Sequence, residues 1–281
     1  MSDDGFGGRP VVTFESRRAA EMASLVERNR GAPLTAPTLR EVPLTENAGA
    51  IAFARELAAG EVDGVVLMTG VGTRALMEEI ASVLDRAAFA KALASVPLVV
   101  ARGPKPAVVL RELGVPGFTT VPEPNTWREV ARAVADRGPL AGRRIAVQEH
   151  GAPSTELYDA LRQGGAVVTP VPVYRWALPE DTAPLRAALH AIVAGRARIV
   201  LFTSRAQVEH VFAVAAEEQI AEPLRSALTR GVVASIGPVC TVALRVEGIE
   251  PDLEPEHSRM GHLVKAAAER CATILAAKGQ G

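Results

Sequence analysis

Aromatic side chains make up only 4% of the chain, and there are two cysteines in 281 residues. The first shortage leaves aliphatic side chains to fill any interior, which is the composition of helices packed on buried parallel strands. The second excludes a disulfide framework, and Cys240 and Cys271 lack the CxxC spacing of a zinc or redox centre. An excess of one charge is missing too. Thirty-one basic residues stand against 32 acidic ones, a net charge of −1, and no basic run marks a nucleic-acid or membrane surface. No window of 18 apolar residues occurs, and "MSDDGFGGRP" lacks the basic segment and apolar stretch of a secretory leader. A cytoplasmic protein with neither nucleic acid nor membrane as partner is expected. His150, His190, His210, His257 and His262 form no metal-ligand spacing, and no G-x-S-x-G nucleophile elbow is present. Neither a metal site nor covalent hydrolase chemistry is expected.

What is there is a large apolar fraction and a repetition. With 48% hydrophobic residues the chain can bury one large or two ordinary domains. "VVARGPKPAVVLRELG" (99–114) is echoed by "VASIGPVCTVALRVEG" (233–248), and the two Gly-Pro pairs stand 134 residues apart. The same shift lays "VVLMT" (65–69) on "IVLFT" (199–203), Glu15 and Arg28 on Glu149 and Arg162, and "LREVPL" (39–44) on "VYRWAL" (173–178). One ungapped period that matches strand, turn and helix in separate places points to an internal duplication.

Each copy alternates short apolar runs with helical segments. Strands are expected at 10–14, 33–42, 64–69, 97–101 and near 117–121, and again at 144–148, 167–176, 198–203, 232–236 and near 250–254. Such alternation implies an α/β fold, with each copy a doubly wound parallel sheet of flavodoxin-like size. The proline-spaced stretches "APTLREVPL" and "TPVPVYRWALP" suit extended, stiff crossings between two domains.

In open parallel sheets, ligands bind beyond the carboxyl ends of the strands. The candidates are therefore Ser16 and Arg17 after Glu15; Thr69, Gly70 and Gly72; Arg102, Gly103 and Lys105; His150 and Gly151; Thr203, Ser204 and Arg205; and Gly237 in Ile236-Gly237-Pro238. Small residues there expose backbone N–H groups at positive helix ends, which favours anionic ligands. "TGVGTRA" (69–75) also fits the G-x-G-x-x-A dinucleotide pattern. It lies on the third strand of its copy, no acidic residue closes a following strand, and its sister "TSRAQ" has no glycine. A nicotinamide site is not expected. Tyr174, one of two tyrosines, stands in a crossing segment, where a phenol can give or accept a proton.

"LMTGVGTRAL", "VARGPKPAVVLRELG", "PVYRW", "LFTSRAQVEHVF", "SIGPVCTVALRVEGI" and "PEHSRMGHLVKAAA", in this order, resemble the uroporphyrinogen-III synthase family from about Val11 to Ala268. The resemblance implies two flavodoxin-like domains joined by a two-stranded connector, with a large cleft between. One domain would be continuous over 43–172 and the other assembled from 1–42 plus 176–281, with connectors near 36–43 and 170–177. It also implies cyclisation of the linear tetrapyrrole hydroxymethylbilane, with inversion of the last ring and loss of water, by a monomer without cofactor. Tyr174 would act on the leaving hydroxyl, and Ser204 would contact a substrate carboxylate. Cys240 is counted among the substrate contacts as well, although the family often has threonine there, and this chain has Gly70 where the family has serine. The alternative is a non-catalytic tetrapyrrole-sensing or regulatory protein on the same fold. The "ERCATILAAKGQG" after residue 268 is too short for a DNA-binding module, which favours the enzyme.

Overall fold

A computed structural model describes residues 5–44, 47–149 and 151–279. His150, one of the expected site residues, lies outside the described residues. The chain forms two compact units, Met1–Arg40 with Ala177–Gly281 (unit 1) and Glu41–Trp176 (unit 2). It begins in unit 1 with β1 (Pro10–Thr13), α1 (Ala19–Arg28) and β2 (Ala32–Thr35). Through unit 2 it runs β3 (Arg40–Pro43), α2 (Ala48–Ala58), β4 (Gly64–Leu67), α3 (Gly70–Glu79), α4 (Arg86–Ser95), β5 (Leu98–Ala101), α5 (Pro104–Glu112) and β6 (Thr119–Thr120). Then come α6 (Trp127–Ala135), β7 (Arg144–Gln148), α7 (Thr155–Gln163), β8 (Val167–Val171) and β9 (Tyr174–Ala177). Unit 1 resumes with α8 (Ala183–Val193), β10 (Ile199–Phe202), α9 (Arg205–Glu217), α10 (Ala221–Arg230), β11 (Val232–Ser235), α11 (Pro238–Val246) and α12 (Met260–Ala277).

Both large sheets are parallel, as the alternation of elements requires. Unit 1 has the order β11-β10-β1-β2 and unit 2 the order β6-β5-β4-β7-β8, while β3 pairs with β9 in a separate two-stranded sheet. The registers place Val11 beside Ile199 and Pro33 in unit 1, and Gly64 beside Leu98 and Ile145 in unit 2. A period of two sends successive strand residues to opposite faces. Val12, Val200, Phe202 and Val233 join one apolar cluster of unit 1, and Val11, Ile199, Leu201 and Val232 join the other. In unit 2, Val65, Leu67 and Val99 pack on one side, and Val66, Leu98, Val100 and Ile145 on the other. Helices cover both faces, so the central strands read as unbroken apolar runs. Elements also coincide under the 134-residue shift: α5 of unit 2 with α11 of unit 1, and β3 with β9, the two strands of the small sheet.

Three strand expectations need correction. The stretch 33–42 is two strands, β2 and β3, because Pro37 has no N–H to donate and the flanking backbone bonds elsewhere. Thr38 O accepts from the His210 ring (2.7 Å), and the Leu39 N–H donates to Ser16 Oγ (3.1 Å). The stretch 167–176 is likewise two strands, separated at Pro172, whose carbonyl accepts from Asn47 Nδ2 (2.6 Å). Near 250–254 only the bridge Ala234–Leu253 forms, between Pro251 and Pro255. No described helix is long and apolar enough to cross a membrane.

Candidate functional site

In unit 2, β4 ends as α3 begins, and Thr69 caps the helix: its Oγ1 accepts from the Gly72 N–H at 2.9 Å. The extended backbone of Thr69 (φ −145°, ψ 150°) is the usual geometry of such a cap. Gln148, the last residue of β7, reaches across from the neighbouring strand. Its Oε1 accepts from the N–H groups of Met68 (3.1 Å) and Thr69 (3.2 Å), so the turn is held from two sides. Gln148 is a member of the candidate site missed from the sequence; the only available signal was one polar side chain closing the strand "RIAVQ".

The two glycines of "TGVG" serve this packing. A Cβ at Gly70 would come within 2.8 Å of the Lys105 carbonyl oxygen, so α3 and α5 start in close contact. A Cβ at Gly72 would overlap the Gln148 side-chain nitrogen and lie 2.7 Å from its Cδ. Gln148 cannot move aside without releasing two backbone N–H groups. Overpacking of this kind costs about 1–3 kcal/mol, more than the up to about 1 kcal/mol that alanine gains over glycine in a helix. Gly72→Ala is therefore expected to lower the urea midpoint, and the loss should be less than additive with Gln148→Ala in a double variant.

Tyr174 opens β9 and is 6% exposed, its ring in the apolar cluster of unit 2. Its hydroxyl stands 3.4 Å from Thr69 Oγ1. β9 is fixed beside the end of β7: Gly151 bridges to Arg175, and the Trp176 N–H donates to the Gly151 carbonyl at 3.2 Å. Gly151 has φ +93°, and a Cβ there would lie 2.6 Å from the indole Cδ2 of Trp176. Both the left-handed backbone and the ring require glycine.

Arg102 follows β5, and its N–H donates to the Leu67 carbonyl (3.0 Å). Loss of water around its half-buried side chain pulls the guanidinium below its ordinary pKa, while the neighbouring Tyr174 acts in the opposite sense. It still carries its positive charge at physiological pH. Thr69, Gly72, Arg102 and Tyr174 thus come together with Gln148 at the carboxyl ends of β4, β5 and β7. Gly103 caps α5 with extended backbone and no side-chain bond, and Lys105 is exposed on that helix.

In unit 1 the corresponding strand end is at Thr203-Ser204-Arg205. Ser204 Oγ accepts from the Gln207 N–H at 3.3 Å, capping α9. Thr203 donates its hydroxyl to Glu15, and Gln207 Nε2 donates to Thr203 Oγ1 (2.8 Å) and Glu15 Oε1 (3.3 Å). Other expected contacts have partners of their own. Arg205 pairs with Glu209 at 2.6 Å, Ser16 holds Leu39, and Arg17 is exposed. Gly237 lies in a buried network in which its N–H donates to Ser235 Oγ (3.4 Å) and Thr241 donates to Ser235 at 2.8 Å.

Cys240 is 2% exposed in the apolar cluster beneath α11. Burial pushes its thiol up to about 11, from an ordinary value near 9.0. Because the folded pKa is the higher one, its contribution to stability is complete below about pH 9 and is lost as pH rises toward about 11. The unfolding midpoint is expected to fall across that window, less steeply in Cys240→Ala; identical slopes in both proteins would contradict this. No group of three or more His, Cys, Asp or Glu able to hold a metal occurs among the described residues.

These features define an α/β protein of two compact units, each with a parallel sheet whose strand ends feed capped helix N-termini. The family described as uroporphyrinogen-III synthase HemD matches residues 20–265. The chain belongs to the uroporphyrinogen-III synthase family. It is 27% identical over 266 residues to the Bacillus subtilis (strain 168) protein named "Uncharacterized protein YjjA", a match spanning 94% of this chain and 97% of that one. Among solved structures it is similar to a mutant uroporphyrinogen III synthase from the extremely thermophilic bacterium Thermus thermophilus, with a TM-score of 0.70, 27% identity, and coverage of 94% of this chain and 99% of the other. The wild-type protein from the same organism gives a TM-score of 0.55 and 30% identity, covering 94% and 98%.

Proposed function

We propose that the protein is a uroporphyrinogen-III synthase of the cytoplasm, a lyase that closes hydroxymethylbilane to uroporphyrinogen III with inversion of the terminal pyrrole ring and loss of water. The observation that carries this reading is the Tyr174 hydroxyl, 3.4 Å from Thr69 Oγ1 and beside the Arg102 guanidinium, in a chain whose family match runs over residues 20–265. Tyr174 gives its proton to, or orients, the departing hydroxyl of the bilane, which leaves as water. The azafulvene so formed is attacked by the substituted end of the terminal ring, and the resulting spiro intermediate reopens and recloses with that ring inverted. The chain's task is to hold the bilane folded for that attack, with modest acid catalysis and no cofactor.

Each unit offers carboxylate-binding groups that need no net positive charge: in unit 2 the N-termini of α3 and α5 with Arg102 and Lys105, and in unit 1 the N-termini of α9 and α11 with Ser204 and Arg205. Strand-end Gly151 belongs to the set of unit 2, and Ser16, Arg17, Thr203 and Gly237 to that of unit 1. We further infer that the two units are copies of one flavodoxin-like unit, with β3 and β9 as the connector. The 134-residue spacing of equivalent elements and the matching strand orders support this. The proposed activity is tested by the lifetime of freshly made hydroxymethylbilane: catalytic amounts of the protein should shorten it well below that of spontaneous closure, and an unchanged lifetime would refute the assignment.

A further inference from the structure

Equivalent turns in the two units are held by a glutamine, but the glutamines are not equivalent. Thr203, which stands 134 residues after Thr69, has its N–H bound by Gln207 Oε1 at 2.8 Å, from α9. Thr69 has its N–H bound by Gln148 Oε1 at 3.2 Å, from β7. The other ends of the two amides differ. Gln207 Nε2 has a built-in carboxylate, Glu15, at 3.3 Å. The counterpart of Glu15 under the same shift is Glu149, and it accepts instead from the Tyr158 hydroxyl at 2.7 Å. Gln148 Nε2 is left buried, in a residue 1% exposed, with no acceptor among the described residues.

An unpaired buried donor costs about 1–3 kcal/mol, and turning the amide over would strand the Met68 and Thr69 N–H groups instead. The nitrogen is packed on Gly72, in the first turn of α3, where a Cβ added to the glycine would overlap it and lie 2.8 Å from Thr69 Oγ1. A helix N-terminus favours an anion, and Tyr174 and Arg102 stand beside the same turn. We propose that Gln148 Nε2 is a binding donor for a substrate carboxylate, which supplies in unit 2 the partner that Glu15 supplies from within the chain in unit 1. The identity of that carboxylate as part of the bilane rests on the function proposed above.

Gln148→Glu tests the donor alone, since it keeps an oxygen for the Met68 and Thr69 N–H groups and replaces the free amino group by a second acceptor. With hydroxymethylbilane, KM should rise roughly 10-fold or more while kcat changes far less. An unaltered KM would overturn the assignment. Gln148→Met removes both ends of the amide and should raise KM and also lower the unfolding midpoint; if Gln148→Glu fails to fold, the KM of Gln148→Met decides. The affinity of each protein for uroporphyrin III, a stable octacarboxylate, is measured in parallel. If wild-type protein does not accelerate or redirect bilane closure, the functional reading falls by itself. Gln148 is then judged on this binding: weaker in Gln148→Glu supports the donor, while equal affinity, or no binding by wild type, overturns it.

Discussion

Replacing Tyr174 by phenylalanine is expected to lower kcat for bilane closure about 10- to 100-fold, the range for loss of a positioned acid or proton-bearing hydroxyl. The change removes one oxygen and nothing else. The ring stays in the apolar cluster with Val171 and Val173, so the unfolding midpoint should remain near that of wild type. Thr69 retains its bond to the Gly72 N–H, so the cap of α3 persists without the phenol. A fall in kcat with KM little changed places the hydroxyl in the reaction. Unaltered turnover would reassign Tyr174 to packing, and a large loss of stability would mean that the Thr69 contact is structural.

The largest effect on stability is expected from Phe202→Ala. Phe202 ends β10 with 0% exposure, and its ring lies 4.9 Å from that of Phe14, tilted by 33°. Emptying such a site costs about 3–5 kcal/mol, through lost transfer energy and the cavity left behind. Against a total stability of roughly 5–15 kcal/mol this is a large share. Both tryptophans, Trp127 and Trp176, belong to unit 2, so the unfolding of unit 1 should be followed by circular dichroism rather than by tryptophan fluorescence. A loss under about 1 kcal/mol would show that the Phe14–Phe202 contact is not part of a tight core. Because Thr203 and Ser204 follow directly, a loosened β10 should also weaken substrate binding.

The parallel α/β fold was legible in runs such as "VVLMT" and "IVLFT", because a strand buried on both faces must be apolar throughout. The ends of elements were not. Proline divided 33–42 and 167–176, since its missing N–H matters only once the strand's partners are known. The same holds for the site. Thr69 and Tyr174 could each be marked as a candidate, but their contact joins residues 105 positions apart, a distance that no local pattern encodes. Gln148 was invisible for a different reason: a lone glutamine at a strand end carries no signature until the backbone groups it binds are placed. The G-x-G in "TGVGTRA" shows the converse. It matches a nucleotide-binding pattern, yet its small residues are accounted for by the Lys105 carbonyl and the Gln148 amide.

The most direct measurement is the isomer composition of the product from freshly made hydroxymethylbilane. Left alone, the bilane closes without inversion to uroporphyrinogen I. With catalytic amounts of this protein the product should be predominantly uroporphyrinogen III; a product that remains isomer I would contradict the account.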